Sequence, residues 1–307
     1  MLVDEVRALI DNVERVILGK RETIEIVVVA LLCEGHVLLE DVPGVGKTML
    51  SRAVARSLGC SHARVQCTPD LLPSDLTGVN VYNQKTSDFE FRPGPLHHQI
   101  ILADEINRAT PKTQSALLEC MEERQITIDG VTHPLPRPFL VLATQNPVEH
   151  EGTFPLPEAQ MDRFMVRARL GYPSAEAEKQ MLKGQQMAHP VESVSQVLEG
   201  ARLLELQTEV RQIHVGDNLL DYIVELVRQT RDSADLRLGA SPRGSLALFR
   251  GAQACAALDG REFVLPDDIQ KMALPTLGHR LLSRGDLTGR AGEELIAELV
   301  GRVPVPV

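Results

Sequence analysis

The short apolar strand HVLLE (36–40) and the strand candidates HARVQCT (62–68), QIILADE (99–105), PFLVLAT (138–144) and FMVRARL (164–170) alternate with helical segments such as KTMLSRAVARSL and KTQSALLECMEE. That rhythm predicts an α/β fold, a buried parallel sheet with helices on both faces. Residues 2–18 and 21–33 carry apolar side chains at helical spacing, and the Leu18-Gly19-Lys20 break predicts two helices ahead of the first strand. Two stretches interrupt the alternation. GVNVYNQKTSDFEFRPG (78–94) and ERQITIDGVTHPLPRP (123–138) each pair strand-like runs around a polar or Asp-Gly turn, which predicts hairpins inserted between core elements. Past Tyr172-Pro173 only helical periodicity remains, so we expect a core over 1–172 and a smaller all-helical domain over 173–307.

At 307 residues and 43% hydrophobic content the chain is long enough for one large or two ordinary domains, each with its own core. Its net charge of −10 is mixed along the sequence, with no basic arm that would predispose the surface to nucleic acid or anionic lipid. Cys33, Cys60, Cys67, Cys120 and Cys255 are odd in number and scattered, as reduced thiols are, and Cys60 and Cys67 are too isolated to suggest zinc. The acidic N-terminus lacks the order of a signal peptide and no apolar run approaches membrane-spanning length, so a cytoplasmic location without membrane insertion is expected.

The chemistry concentrates at strand ends. Pro43-Gly44-Val45-Gly46-Lys47-Thr48 lies between a strand and a helix, where backbone N–H groups and the helix N-terminus can surround a triphosphate while Lys47 adds a point charge and Thr48 ligates Mg²⁺. Asp41 stands where the usual pattern has its first glycine; because Gly44 and Gly46 allow the close backbone approach, the departure weakens the pattern more than the chemistry. Downstream, the apolar run 100–103 ends in Asp104-Glu105. Adjacent strand residues point to opposite faces, so different tasks are expected: Asp104 for the Mg²⁺ shell and Glu105 to orient and deprotonate an attacking water. Asn146, after the run 138–144, either fixes that water or closes a turn before Pro147. His97-His98 has no third ligand at metal spacing, and the dispersed methionines read as core filler.

In order, DVPGVGKT, ILADEINR, ATQNP, LPEAQMDRF and GASPRG resemble the AAA+ ATPases, and NPVEHEGTFPLPEAQMDRF, MEERQITIDG and LLEDVPGVGKT resemble the MoxR family over nearly the whole chain. The resemblance implies an AAA+ P-loop core and a helical lid, ATP and Mg²⁺ as cofactors, and an aspartate at position 41 as unremarkable. It makes Lys47 and Thr48 the Walker A pair within a nucleotide-binding run from Pro43 to Met49, Asp104 and Glu105 the Walker B pair, and Asn146 sensor 1. Arg163 becomes an arginine finger reaching a neighbour's nucleotide, although the residue by itself also fits a salt bridge with Asp162 or another nearby acid. Arg243 matches sensor 2, in its own or the adjacent subunit, or is a surface arginine. Val16, Ile17 and Gly19 sit where relatives wrap adenine and equally fit a core.

The family further implies a homo-oligomeric ring, usually a hexamer, that remodels, matures or metal-loads a client protein or enzyme complex together with a von Willebrand factor A domain protein, the hairpins facing client or partner. A nucleic-acid motor is the alternative from another class, yet the tip Ile128-Asp129-Gly130 is acidic where phosphate contacts need basic residues. A magnesium-chelatase-type motor shares the first insert. A scaffold that binds ATP without turnover is disfavoured by Asp104, Glu105, Asn146 and Arg163.

Overall fold

The computed structural model describes residues 2–146, 152–184, 190–284 and 290–306. Helices α1 (Leu2–Glu14) and α2 (Arg21–Leu32) come first, followed by β1 (Val37–Glu40), α3 (Lys47–Ser57) and β2 (His62–Gln66). Next come α4 (Pro73–Thr77), the hairpin β3 (Gly78–Asn83) with β4 (Asp88–Pro93), and β5 (Ile100–Asp104). Helix α5 (Pro111–Glu123), the hairpin β6 (Gln125–Ile128) with β7 (Val131–Pro134), β8 (Leu140–Gln145), α6 (Glu158–Met161) and β9 (Val166–Ala168) follow. The remainder is α7 (Ala175–Gly184), α8 (Gly200–Val210), α9 (Asp217–Asp232), β10 (Leu236–Leu238), α10 (Pro242–Leu258), α11 (Pro266–Leu277), β11 (Leu282–Ser283) and α12 (Arg290–Arg302).

The sheet is parallel throughout, in the order β2-β5-β8-β1-β9. The chain leaves the middle of the sheet after β1, crosses to the far edge and works back, so the carboxyl ends of β1, β8 and β5 lie side by side; ligands collect at such a point of reversal. Both faces are buried, and side-chain alternation divides them. Val37, Leu39, Ile100, Leu102, Leu140 and Leu142 join one apolar cluster, while Leu38, Ile101, Ala103, Val141 and Ala143 join the other. The first cluster continues without a break through α1 and α2 into α8, α9, α10 and α11. The two N-terminal helices are therefore wedged between the sheet and the C-terminal helices.

Helix α1 ends at Glu14, short of residue 18, and the chain turns until Gly19 at φ +68° reverses it into α2. Both expected hairpins form. Asp129 and Gly130 have φ of 49° and 81°, as a two-residue hairpin turn demands. The hairpins also touch each other: Asn80 donates to Asp129 at 2.7 Å, and Phe91 stacks on His133 with ring centroids 4.2 Å apart. The C-terminal part is helical with one addition that was not expected, an antiparallel ladder between β10 and β11. Its strands are three and two residues long, too short to print an alternation on the sequence.

Candidate active site

At the carboxyl edge of the sheet a cleft of about 330 Å³ is lined by Pro43, Gly44, Gly46, Lys47, Thr48, Arg64, Gln66, Asp104, Glu105 and Asn146. Its floor is the loop from β1 to α3. Gly44 and Gly46 have φ of 85° and 103°, a region costly to any residue with a Cβ, and a Cβ on Gly44 would point into open space. Helix α3 begins at Lys47, so its first N–H groups, which no preceding turn can satisfy, face that space. Lys47 is 8% exposed and its ammonium donates to the Asp41 carbonyl at 2.7 Å. Burial lowers its pKa, against the pull of Asp41, Asp104 and Glu105.

The two acids stand at the end of β5, one strand removed from β1 with β8 between them, and here the expectation of opposite faces fails. Both line the same cleft. Asp104 is the last residue of β5, and Glu105 adopts φ 57° and ψ 52°, a left-handed turn that swings its side chain back toward the site. Such strain in a non-glycine residue persists only where its surroundings fix it. Thr144 of β8 does so: its hydroxyl donates to Asp104 Oδ1 at 2.7 Å and accepts the Glu105 N–H at 2.8 Å. Buried Asn146 follows one step beyond the end of β8; Pro147 lies outside the described residues.

Two residues of the cleft went unrecognised in the sequence. Arg64 and Gln66, on β2, pair in register with Leu102 and Asp104. The Arg64 guanidinium bonds Asp104 Oδ2 at 2.6 Å, so a cation already sits against the acid expected to hold Mg²⁺. Gln66 donates to Glu105 Oε2 at 3.0 Å, and Arg108 reaches the same oxygen at 3.2 Å. The signal was the alternation of HARVQ, which puts both polar side chains on one face.

Val16 and Ile17 are not among the lining residues; at 8% and 6% exposure they belong to the main apolar cluster. Ile17 still approaches the loop, its Cδ1 lying 3.7 Å from where a Cβ on Gly46 would stand. Val45 and Met49 also pack against that cluster. Gly19 is at the turn before α2.

Arg163 and Arg243 are elsewhere. They line a second cleft of about 230 Å³ with Glu122, Asp162 and Arg280, and this cleft shares no lining residue with the first. Arg163 is paired with Glu122 Oε2 at 3.3 Å rather than with Asp162, and Arg243 donates to Glu122 Oε1. His97 donates its Nε2–H to the Thr77 carbonyl and packs edge-on to Phe91; among the described residues no cluster of three metal-ligating side chains exists.

A strand, a glycine-bearing loop opening a helix, and paired acids at the end of a second strand with one strand inserted between the two define a P-loop ATPase with the AAA+ arrangement of core and lid. Comparison with known proteins agrees. Residues 36–166 match the ATPase family associated with various cellular activities, and residues 228–299 match the AAA lid domain. The chain is 52% identical to the uncharacterized protein YeaC of Bacillus subtilis, covering 97% of this chain and 94% of that one. It is 42% identical to the protein named Chaperone MoxR1 of Mycobacterium tuberculosis, covering 94% and 78% respectively. A crystal structure from Cytophaga hutchinsonii, described as a candidate ATPase, superposes with a TM-score of 0.91 at 38% identity over 100% of this chain and 96% of that one. The chain belongs to the MoxR family of AAA+ ATPases, and it binds and hydrolyses ATP.

Proposed function

We propose that this ATPase works as a ring, with each nucleotide held by one subunit and attacked under the influence of arginines from the next, and that its turnover drives chaperone-like remodelling of a partner protein. The carrying observation is the separation of the two clefts: Arg163 and Arg243 converge on Glu122, away from the P-loop of their own chain. A guanidinium brought to the transferring phosphoryl is worth ~10³–10⁵ in rate, so supplying it from a neighbour makes turnover depend on assembly. We take the subunit count to be six, the ATPase core to be residues 1–172 and the lid residues 173–307.

Within the first cleft, Lys47 and the N–H groups of residues 44–48 bind the phosphates. Asn146 orients the attacking water and Glu105 accepts its proton. Thr48 and Asp104 would hold Mg²⁺, which neutralises phosphate charge; such ions keep few protein ligands, and a hydroxyl and a carboxylate lining one cleft are the oxygen donors they take, with Arg64 the cation that competes for Asp104. Ile17, through its approach to Gly46, is the adenine contact we favour, with Val16 and Gly19 shaping the turn behind it.

The hairpins are the parts that meet a client or a von Willebrand factor A domain partner. Tyr82 and Phe89 are 52% and 65% exposed and pack edge-on to each other at 5.4 Å, an aromatic pair with half its surface unpaid in burial. Maturation or metal loading of an enzyme complex is the task this would serve. Nucleic acid is not the expected partner, because the β6–β7 tip carries Asp129. Free thiols support a reducing cytoplasmic setting, and no described helix is long and apolar enough to cross a membrane.

The test is a mixing experiment. Glu105→Gln and Arg163→Ala each lose turnover by at least ~100-fold while still binding ATP. Mixed in equal amounts they recover a substantial fraction, because the first variant lends its arginine to the intact P-loop of the second. Two inactive proteins that stay inactive together would reject the cross-subunit reading.

A further inference from the structure

The second cleft contains two acids with different commitments. Asp162 is held on every side: Arg280, only 6% exposed, donates to its Oδ1 at 2.8 Å, and the Ser241 hydroxyl donates to its Oδ2 at 2.8 Å. Arg280 also donates to the carbonyls of Phe164 and Met165 at 2.7 and 3.1 Å, and Ser241 caps α10 by accepting the Arg243 N–H at 3.1 Å. This locks the backbone of Arg163 and that of Arg243 into one block. Their guanidiniums extend from the block to Glu122 on the last turn of α5, whose side chain is 37% exposed, and Arg243 keeps only a long contact of 3.9 Å to Asp162 Oδ2.

Each oxygen of the Glu122 carboxylate takes one arginine. That is the arrangement a terminal phosphate would offer, two anionic oxygens within reach of two guanidinium forks. We propose that Glu122 is a positioning residue that occupies Arg163 and Arg243 in the separate subunit, and that both arginines exchange its carboxylate for phosphate oxygens of a nucleotide bound by the neighbouring copy. The inference rests on the cross-subunit reading above. It follows that Glu122 opposes assembly in two ways: its bonds must be given up, and its charge faces the incoming phosphate. An exposed ion pair is weak, so the opposition is modest and readily overcome by the more highly charged phosphate.

The experiment uses the full chain and follows ATP hydrolysis as a function of total protein concentration. Glu122→Gln keeps the shape and removes the charge, and it should lower the protein concentration for half-maximal turnover by roughly threefold. Glu122→Ala should move it the same way, and Glu122→Asp should return it toward the parent value. An unchanged or increased requirement in both neutral variants would overturn the inference. So would a tenfold loss of kcat at saturating protein, which would mean that Glu122 presents the arginines instead of restraining them. Because Glu122 is exposed, both variants should melt with the parent, and a Glu122→Ala result stands in should Glu122→Gln not fold. The mixing experiment reports separately: recovered turnover with no Glu122 effect removes this inference alone, whereas failed recovery removes the reading beneath it.

Discussion

Asp41 shows how a departure from a motif can be structural. It is 8% exposed, and its carboxylate accepts the N–H groups of Leu170 and Gly171 at 2.5 and 2.9 Å, where the chain leaves the sheet for the lid. Its carbonyl holds the Lys47 ammonium, and its own N–H donates to Gln145 at 3.1 Å. Glycine at this position would keep the backbone bonds and lose the carboxylate. Two N–H groups would then lack acceptors, and a buried unsatisfied group costs about 1–3 kcal/mol. Asp41→Gly, although it restores the common phosphate-loop pattern, should therefore lower stability in denaturant unfolding by about 2–4 kcal/mol. Both N–H groups are accepted by the one oxygen Oδ2, so Asp41→Asn, with its amide oxygen at that position, keeps both acceptances, loses only the charge and should cost less than Asp41→Gly, about 1 kcal/mol. An Asp41→Gly protein as stable as the parent would show that the carboxylate does not tie the loop to the lid.

Among the elements, β1, β5 and β8 were legible because each is an apolar run closed by polar residues, β2 and β9 because apolar and polar residues alternate, and the phosphate loop because its glycines, lysine and threonine are contiguous. What was hidden depends on neighbours in space. Arg64 and Gln66 join the site only through the register of β2 against β5, and Glu105 changes face through a left-handed turn fixed by Thr144 on a third strand. The destination of Arg163 was equally unreadable, since Glu122 precedes it by 41 positions on α5 while Arg163 lies in the turn after α6. The hairpins, in contrast, were readable from their turns, and a prediction belongs to them. Tyr82 and Phe89 contribute little to folding where they stand, so the double substitution Tyr82→Ser, Phe89→Ser should shift stability by less than ~1 kcal/mol and leave basal ATPase within about twofold. Proteins retained from native lysate by the ATP-loaded Glu105→Gln form should be lost when the two substitutions are added. Retention of the same proteins would move the client surface off this hairpin.

Across the whole molecule, the joints between layers rely on buried histidines that must stay neutral. His36 accepts the Val141 N–H on Nδ1 at 3.0 Å, which leaves Nε2–H to donate to the Met121 carbonyl at 3.0 Å; the ring thus ties the sheet to the end of α5. Burial pushes its pKa down to about 4. His279, beside Arg280 and 3.0 Å from the Phe164 carbonyl, joins the lid to the segment entering β9, and burial first and the Arg280 charge second hold it well below the usual imidazole range. Both groups bind protons more readily in the unfolded chain, so stability rises with pH wherever only the unfolded form is protonated. Their contribution is complete above the ordinary value of 6.5 and declines as pH falls, for His36 until about 4. Glu34 follows lower: burial disfavours its charge, but Arg124, Arg137 and, at the end of α8, Arg211 outweigh that and hold it below the usual carboxylate value of 4.5. Acidification should therefore loosen the histidine joints before it breaks the ion pairs. Unfolding free energy measured by denaturant from pH 7 to pH 4 should fall by on the order of 3 kcal/mol through His36 alone, since each unit of pKa difference is worth about 1.4 kcal/mol. His36→Gln, which retains a donor and an acceptor without titrating, should be less stable at pH 7 and show a shallower decline. A parent profile flat from pH 7 to pH 5 would mean that these rings do not hold the layers together as neutral links.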